Sequence, residues 1–123
     1  MSAGVILVVD DEPDALTVLH DILVVSGYRV ATAKDGKEAL DYIDRHPPPA
    51  LIFLDLSMPV INGVRLLESI QSGAYPRLAS TPVVVVSAVS DSFDLKGFNC
   101  ADTVRKPIDV ERILGIAKQF ATV

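Results

Sequence analysis

The sequence predicts an α/β fold, a doubly wound parallel sheet of five strands flanked by about five helices. Short runs rich in β-branched residues alternate five times with stretches whose apolar residues recur at helical spacing. Three of these runs are almost wholly apolar, as strands covered by helices on both faces must be. With 123 residues, half of them hydrophobic, the chain is long enough for one core but too short for two ordinary domains. We therefore expect a single domain over residues 1–123.

The predicted strands are Val5–Val9, Arg29–Ala33, residues 51–54, residues 83–86 and a weak one at residues 103–104. Pro13 suits the first position of a helix, which the pair Ser26-Gly27 ends. A second helix opens at Asp35, where Glu38 three residues later completes a capping box, and stops at His46 and the three prolines that follow it.

A third helix is predicted from Asn62-Gly63, with its inward face formed by Leu66, Leu67 and Ile70. The last helix follows Pro107, with Val110, Ile113, Leu114 and Ala117 at spacings of three and four. Between them, residues 90–97 leave room only for a short or irregular fourth helix that Gly97 closes early.

Composition excludes several classes of function. The chain has 11 basic and 16 acidic residues, a net charge of −5, and no basic stretch able to follow a phosphate backbone, so direct nucleic-acid binding is not expected. A single cysteine, Cys100, fits a reducing compartment. No apolar run approaches the roughly 18 residues of a membrane helix. We expect a cytoplasmic protein that does not bind membranes.

Polar residues stand where the predicted strands end, and the carboxyl ends of parallel strands form the functional edge of such a sheet. Asp10 and Asp11 follow the first strand, Asp55 the third, Ser87 the fourth and Lys106 the fifth. Crowded carboxylates repel one another unless a cation or a proton intervenes. Oxygen-only ligands select Mg²⁺, Mn²⁺ or Ca²⁺ over zinc. Any one of these aspartates alone could equally cap the helix that follows it, but the positions together favour a cation site.

This set of groups suits phosphoryl transfer, which needs charge neutralisation more than a proton relay. Asp55 is the acceptor that we favour, because a carboxylate is a nucleophile without prior deprotonation. Lys106 would supply a positive charge and Ser87 a hydroxyl donor.

The segments VVDDEP, LDLSMPVING, VVVVSA and VRKPI resemble those of the response-regulator receiver family in order and spacing, and the resemblance covers essentially the whole chain. It implies the strand order 2-1-3-4-5 and a Mg²⁺ ion, which Mn²⁺ can replace. The ion would be held by Asp10, Asp11, Asp55 and the backbone carbonyl of Ser57. Met58, Pro59 and Gly63 match the family's loop after the third strand, and a cis bond is implied between Lys106 and Pro107.

The resemblance also implies a function in phosphorelay signal transduction. The domain would take a phosphoryl group onto Asp55 from a sensor histidine kinase or a histidine phosphotransfer domain, which brings its own histidine, so His20 and His46 are assigned no role. It would then switch a downstream partner or a fused output domain. It would not be an enzyme with an external substrate, although it would catalyse its own phosphorylation and slow autodephosphorylation. Two alternatives stay open: a degenerate receiver that acts only as a binding module, and a Mg²⁺-dependent phosphohydrolase.

The sequence departs from the family's pattern at its output face. The position three before Lys106 holds Thr103, where the family commonly has an aromatic residue, and the connection that contains the fourth helix is short. Phe93 or Phe98 could dock a partner instead, or simply pack in the core. Ser57 and Val89 stand where the family flanks the path of the attacking water, and neither orients water strongly. We therefore expect slow hydrolysis of the acyl phosphate.

Overall fold

The computed structural model describes residues 4–56, 63–87 and 98–121. In these ranges the strands are β1 (Val5–Val9), β2 (Arg29–Ala33), β3 (Leu51–Asp55), β4 (Val83–Ser87) and β5 (Asp102–Arg105). The helices are α1 (Pro13–Val25), α2 (Gly36–Arg45), α3 (Gly63–Gln71) and α4 (Val110–Phe120). A single 3-10 turn, Pro76–Leu78, precedes β4.

The five strands form one sheet in the order β2-β1-β3-β4-β5, and every neighbouring pair is parallel. The predicted fold class and strand order are therefore confirmed. The register sets Val9 of β1 beside Leu54 of β3, and Asp55 beside Val86 of β4. The carboxyl ends of the three central strands consequently lie side by side at one edge of the sheet.

The sheet separates two hydrophobic layers, which explains the apolar runs of the central strands. Leu7, Ile52 and Val85 face one layer with residues of α2 and α3, while Val8 and Phe53 face the other with residues of α1 and α4. Alternate residues of a strand point to opposite faces, so a strand that is covered on both sides has to be apolar throughout.

Local signals in the sequence account for where the first two helices begin. Pro13 occupies the first turn of α1, and Leu19 and Leu23 are buried beneath it. At α2 the Asp35 carboxylate accepts a hydrogen bond from the Glu38 backbone N–H at 2.8 Å. The Glu38 carboxylate reaches back to the backbone N–H of Lys34 at 2.9 Å, so the predicted cap is present on both sides.

The later helices follow the prediction less closely. Helix α3 begins at Gly63 and buries its three predicted apolar residues. In α4, Ile113 and Ala117 are buried, whereas Val110, which shares their spacing, is 46% exposed. Val110 is the first residue of the helix, and Ile116 contributes to the core instead. The predicted fourth helix at residues 90–97 lies outside the described residues.

The peptide bond between Lys106 and Pro107 is cis, as the resemblance implied. None of the described helices has both the length and the apolar character needed to cross a membrane.

Candidate functional site

Asp10 directly follows β1 at the functional edge of the sheet and is 1% exposed. Its Oδ1 atom accepts a hydrogen bond from the backbone N–H of Glu12 at 2.9 Å, which fixes the orientation of the carboxylate. The other oxygen, Oδ2, is buried and has no hydrogen-bond partner among the described residues. A buried carboxylate oxygen without a hydrogen bond is costly, so this atom is suited to contact with a cation.

Asp55 ends β3 and is 2% exposed. The Nζ atom of Lys106 donates a hydrogen bond to its Oδ2 atom at 3.2 Å. The same Nζ lies 3.8 Å from Oδ2 of Asp10, so one ammonium group faces both buried carboxylates. Lys106 thereby compensates part of the negative charge that β1 and β3 bring together.

Burial and mutual repulsion shift the acid–base properties of this group. Desolvation by burial and the neighbouring Asp55 raise the pKa of Asp10 to about 6, although the Glu12 N–H and Lys106 act in the opposite direction. Desolvation alone would lower the pKa of Lys106, but Asp55 and Asp10 outweigh it and hold that pKa above its ordinary value. Lys106 therefore stays charged at neutral pH, whereas ionisation of Asp10 costs more free energy in the folded chain than in water.

Ser87 is the last residue of β4 and is buried beside this cluster. Its backbone carbonyl accepts a hydrogen bond from the backbone N–H of Lys106 at 2.8 Å. This bond extends the pairing of β4 with β5 by one step and holds the lysine backbone at the functional edge. Ser87 and Lys106 thus lie side by side at the ends of two adjacent strands.

The three aspartates are arranged so that they can hold a cation. One carboxylate oxygen from each of Asp10, Asp11 and Asp55 lies within 4.8 Å of the others, and Asp11 is more exposed than the other two. This donor set contains oxygen only, which suits a hard divalent ion such as Mg²⁺. The unpartnered Oδ2 of Asp10 independently fits a ligand at this point.

The structure brings Asp10, Asp11, Asp55, Ser87 and Lys106 to one edge of the sheet, and the predicted carbonyl ligand of Ser57 lies outside the described residues. The same is true of Met58, Pro59, Val89 and Phe93. Phe98 packs against the core layer beside α3, so the structure favours its core role.

Sequence reasoning missed two contributions to the surroundings of the site. One is the backbone N–H of Glu12, which no sequence pattern could have indicated because every residue except proline carries such a group. The other is Arg112, which bridges α4 and β5. Its position six residues after Lys106 gave no signal without the geometry.

The chain thus combines a parallel sheet of the order β2-β1-β3-β4-β5 with an acidic cluster and a lysine at the carboxyl ends of its strands. The family model described as "Response regulator receiver domain" matches residues 6–118. The chain belongs to this family, and the resemblance drawn from the sequence is confirmed.

Among curated relatives, the transcriptional regulatory protein KdpE of Mycobacterium tuberculosis is 37% identical over 112 residues, which cover 89% of this chain and 47% of that protein. The response regulator ArlR of Staphylococcus aureus is 34% identical over 112 residues and is covered to 48%. The chain therefore spans about half the length of these relatives.

Among solved structures, the response regulator protein TrrA of Thermotoga maritima, crystallised in complex with Mg(2+)-BeF, is 28% identical. It has a TM-score of 0.81, with 95% of this chain and 98% of that chain covered. A response regulator receiver protein of Pseudomonas putida has a TM-score of 0.86 at 24% identity, with 97% and 98% covered. The latter likeness concerns the fold alone.

Proposed function

We propose that this domain accepts a phosphoryl group on Asp55 from a histidine of a sensor kinase or of a histidine phosphotransfer domain, in a Mg²⁺-dependent reaction. The observation that carries the proposal is the Asp55 carboxylate itself. It is buried at a strand end, 3.2 Å from the Lys106 ammonium and within reach of two further carboxylates. A structural carboxylate would need only the lysine, whereas three carboxylates beside one ammonium leave excess negative charge that a bound cation would neutralise.

In the proposed reaction, one carboxylate oxygen of Asp55 forms a bond to phosphorus as the P–N bond of the phosphohistidine breaks. The electron pair of that bond passes to the ring nitrogen that carried the phosphoryl group. The second ring nitrogen of the donor is protonated and keeps its proton, so the product is a neutral imidazole. The product on Asp55 is an acyl phosphate. Lys106, which donates a hydrogen bond to Oδ2 of Asp55, would contact the transferred group, and Ser87 would donate its hydroxyl proton to it.

A bound Mg²⁺ would supply positive charge to the phosphoryl oxygens during transfer. Asp10, Asp11 and Asp55 would hold it, with the Ser57 carbonyl as a further ligand by resemblance. Two observations support this choice of ion: the oxygen-only donor set, and the Mg(2+)-BeF complex of the Thermotoga maritima relative.

The partner would dock beside the site on α1. Val18 of this helix is 51% exposed, so it is available to an apolar partner surface. A shallow cavity of about 350 Å³ lies between α1 and the segment after Lys106, lined by Ala15, Val18, Pro107 and Ile108. This apolar surface adjoins Lys106, so a helical domain bound to it could present a histidine to Asp55.

The new charge on Asp55 would then alter a downstream partner or an output domain. A phosphoryl group adds nearly two negative charges at the sheet edge and draws Lys106 and Ser87 toward its oxygens. The chain spans about half the length of its curated relatives, so one target of the switch would be an output domain in the same protein. A separate downstream protein is the other.

The deciding experiment is intact mass after incubation with a small phosphodonor and Mg²⁺, with an Asp55→Asn variant and an EDTA sample as controls. One added phosphoryl group, absent from both controls, is the expected result. If no group is added under any condition, the domain is a degenerate receiver that serves as a binding module. Steady release of phosphate that does not depend on Asp55 would instead indicate a phosphohydrolase.

The hydrolase alternative lacks one group that its chemistry requires. An aspartyl-phosphate hydrolase of this kind needs a second aspartate two residues after the nucleophile as a general acid, and this chain has Ser57 there. The same serine, with Val89, motivates the prediction of a slow loss of phosphate. After removal of the phosphodonor, we expect the added mass to persist well beyond seconds, and decay within seconds would contradict this prediction.

A further inference from the structure

We propose that Arg112, which lies outside the site in the first turn of α4, is a positioning residue that holds the segment carrying Lys106. The inference rests on the proposed phosphotransfer function, because Lys106 acts there on the transferred group. The observation behind it is a pair of hydrogen bonds from one arginine nitrogen to the strand that precedes Lys106.

Lys106 follows β5, a strand whose position in the sheet is only weakly determined by its own residues. Strand β5 has four residues, lies at the edge of the sheet, and has Val104 as its buried member. Short and mostly polar edge strands are poorly specified in register, since few buried side chains resist their displacement. The Nζ atom of Lys106 nevertheless lies within hydrogen-bond distance of Asp55. Besides its pairing with β4 and the burial of Val104, side-chain contacts help to hold β5 in place.

Arg112 provides such contacts. Its Nη2 atom donates to Oδ1 of Asp102 at 2.9 Å and to the backbone carbonyl of Thr103 at 2.9 Å. These bonds tie α4 to β5 and close a loop that contains Lys106. On the opposite side of the loop, the Lys106 backbone N–H is bound to the carbonyl of Ser87. The lysine backbone is thus held between β4 and α4.

Thr103 occupies the position where the family commonly has an aromatic residue. The backbone N–H of Thr103 donates to the Asp102 carboxylate at 2.8 Å, and its carbonyl accepts from Arg112. Both peptide groups are thereby satisfied by side chains. In this chain a polar bridge from α4, rather than an aromatic side chain, makes the contact beside Lys106.

The bridge is poorly placed to serve global stability. The side chains of Arg112 and Asp102 are 46% and 36% exposed, and ion pairs at such positions contribute little to the free energy of unfolding. Its loss should therefore move or loosen the Lys106 segment while the domain stays folded.

The test compares phosphorylation rates from a small phosphodonor at saturating Mg²⁺, followed by intact mass. We expect Arg112→Ala to lower the rate by about tenfold, because small misplacements of a catalytic group cost this much or more. Arg112→Lys should restore most of the rate, since a single nitrogen makes both contacts. The affinity for Mg²⁺, measured by calorimetry, should not change, because the predicted side-chain ligands belong to β1 and β3.

A double-mutant cycle separates positioning from a general structural role. In a Lys106→Ala background, Arg112→Ala should cause no further loss of rate, because the group that it positions is absent. The matched control is Arg77→Ala, which also removes an arginine bound to a backbone carbonyl, that of Ile43 at 2.8 Å, but in a different part of the fold. This control should phosphorylate at the wild-type rate.

Several results would overturn the inference. The inference fails if Arg112→Ala phosphorylates at the wild-type rate while Lys106→Ala is slow. It also fails if Arg112→Ala lowers the rate equally in the wild-type chain and in the Lys106→Ala variant. Should Arg112→Ala not fold, Arg112→Gln repeats the cycle with a neutral side chain. If the wild-type chain accepts no phosphoryl group, the proposed function fails, and hydrogen exchange decides the inference separately. Faster exchange of the Lys106 amide in Arg112→Ala but not in Arg77→Ala supports it, and unchanged exchange refutes it.

Discussion

At the residue scale, Asp10 combines deep burial with an oxygen that accepts no hydrogen bond from the described residues. Burial, together with the neighbouring Asp55, raises the pKa of Asp10 to about 6. A raised pKa means that the folded chain favours the neutral form of this carboxyl group more than the unfolded chain does. The charged form that a cation needs is therefore maintained at a cost to stability.

We predict that Asp10→Asn stabilises the metal-free domain at neutral pH, by an amount on the order of 1–3 kcal/mol. The amide mimics the neutral acid and can keep the bond from the Glu12 N–H. The stability that Asp10 contributes in its protonated form is complete below its ordinary pKa near 4 and is lost as the pH rises through about 6.

The measurement is urea unfolding of both proteins in EDTA over this pH range. The difference in free energy between the variant and the wild-type chain should be small near pH 4 and should grow through pH 6. A constant difference across the range would show that burial of the charged group does not control stability. Asp11→Asn is the matched control, because Asp11 is more exposed than Asp10, and it should change stability less.

At the element scale, the described connection into β5 is held by a side chain of α3. Gln71 is the last residue of that helix, and its Nε2 atom donates to the backbone carbonyl of Asn99 at 2.8 Å. Its Oε1 atom accepts from the backbone N–H of the same residue at 2.9 Å. One amide side chain thus pairs with both the N–H and the C=O of one residue, as a neighbouring strand would.

We predict that Gln71→Glu destabilises the domain at pH 7 at least as much as Gln71→Ala does, by roughly 1 kcal/mol or more. A carboxylate can still accept from the Asn99 N–H, but it would face the Asn99 carbonyl without a proton to donate. Near pH 4, where a glutamate becomes protonated, the variant should recover part of the loss. Urea unfolding at the two pH values tests this, with the alanine variant as control. A glutamate variant as stable as the wild-type chain at pH 7 would contradict the prediction.

Elements were predictable from the sequence where local pattern and tertiary packing agree. β1, β3 and β4 are apolar because both their faces are covered, and the Asp35 cap depends on near neighbours in the chain. The strand signal for β5 is only weak in the sequence, because part of what holds this segment comes from outside it. Gln71 binds Asn99, 28 residues further along the chain, and Arg112 binds Thr103, 9 residues before it. No window of local sequence contains such contacts.

At the scale of the whole molecule, the site gathers residues from four strand ends. The sequence predicted this convergence for Asp10, Asp11, Asp55, Ser87 and Lys106, because the order of parallel strands determines which ends meet. It could not predict that the Lys106 ammonium would face both buried aspartates, or that Oδ2 of Asp10 would lie 3.8 Å from it without a hydrogen bond from any described residue. Those facts depend on side-chain directions and distances, which only the folded chain defines.

We predict that Mg²⁺ raises the thermal unfolding midpoint of the domain. A ligand that binds the folded state alone stabilises it by about 2.7 kcal/mol at a hundredfold excess over its dissociation constant. The measurement is thermal unfolding in Mg²⁺ and in EDTA at equal ionic strength, which controls for screening of the net charge of −5. Asp10→Asn should abolish the shift, and a midpoint unaffected by Mg²⁺ in the wild-type chain would count against the proposed cation site.

The run of valines in β4 is protected only while the domain stays folded. Residues 83–86 are four consecutive valines at the centre of the sheet, all buried, uncharged and free of proline. In an unfolded chain such a segment has high β-propensity and can pair with copies of itself. Helices on both faces and strands on both edges cover it in the native state. Its burial therefore guards the protein against aggregation as well as supporting the fold.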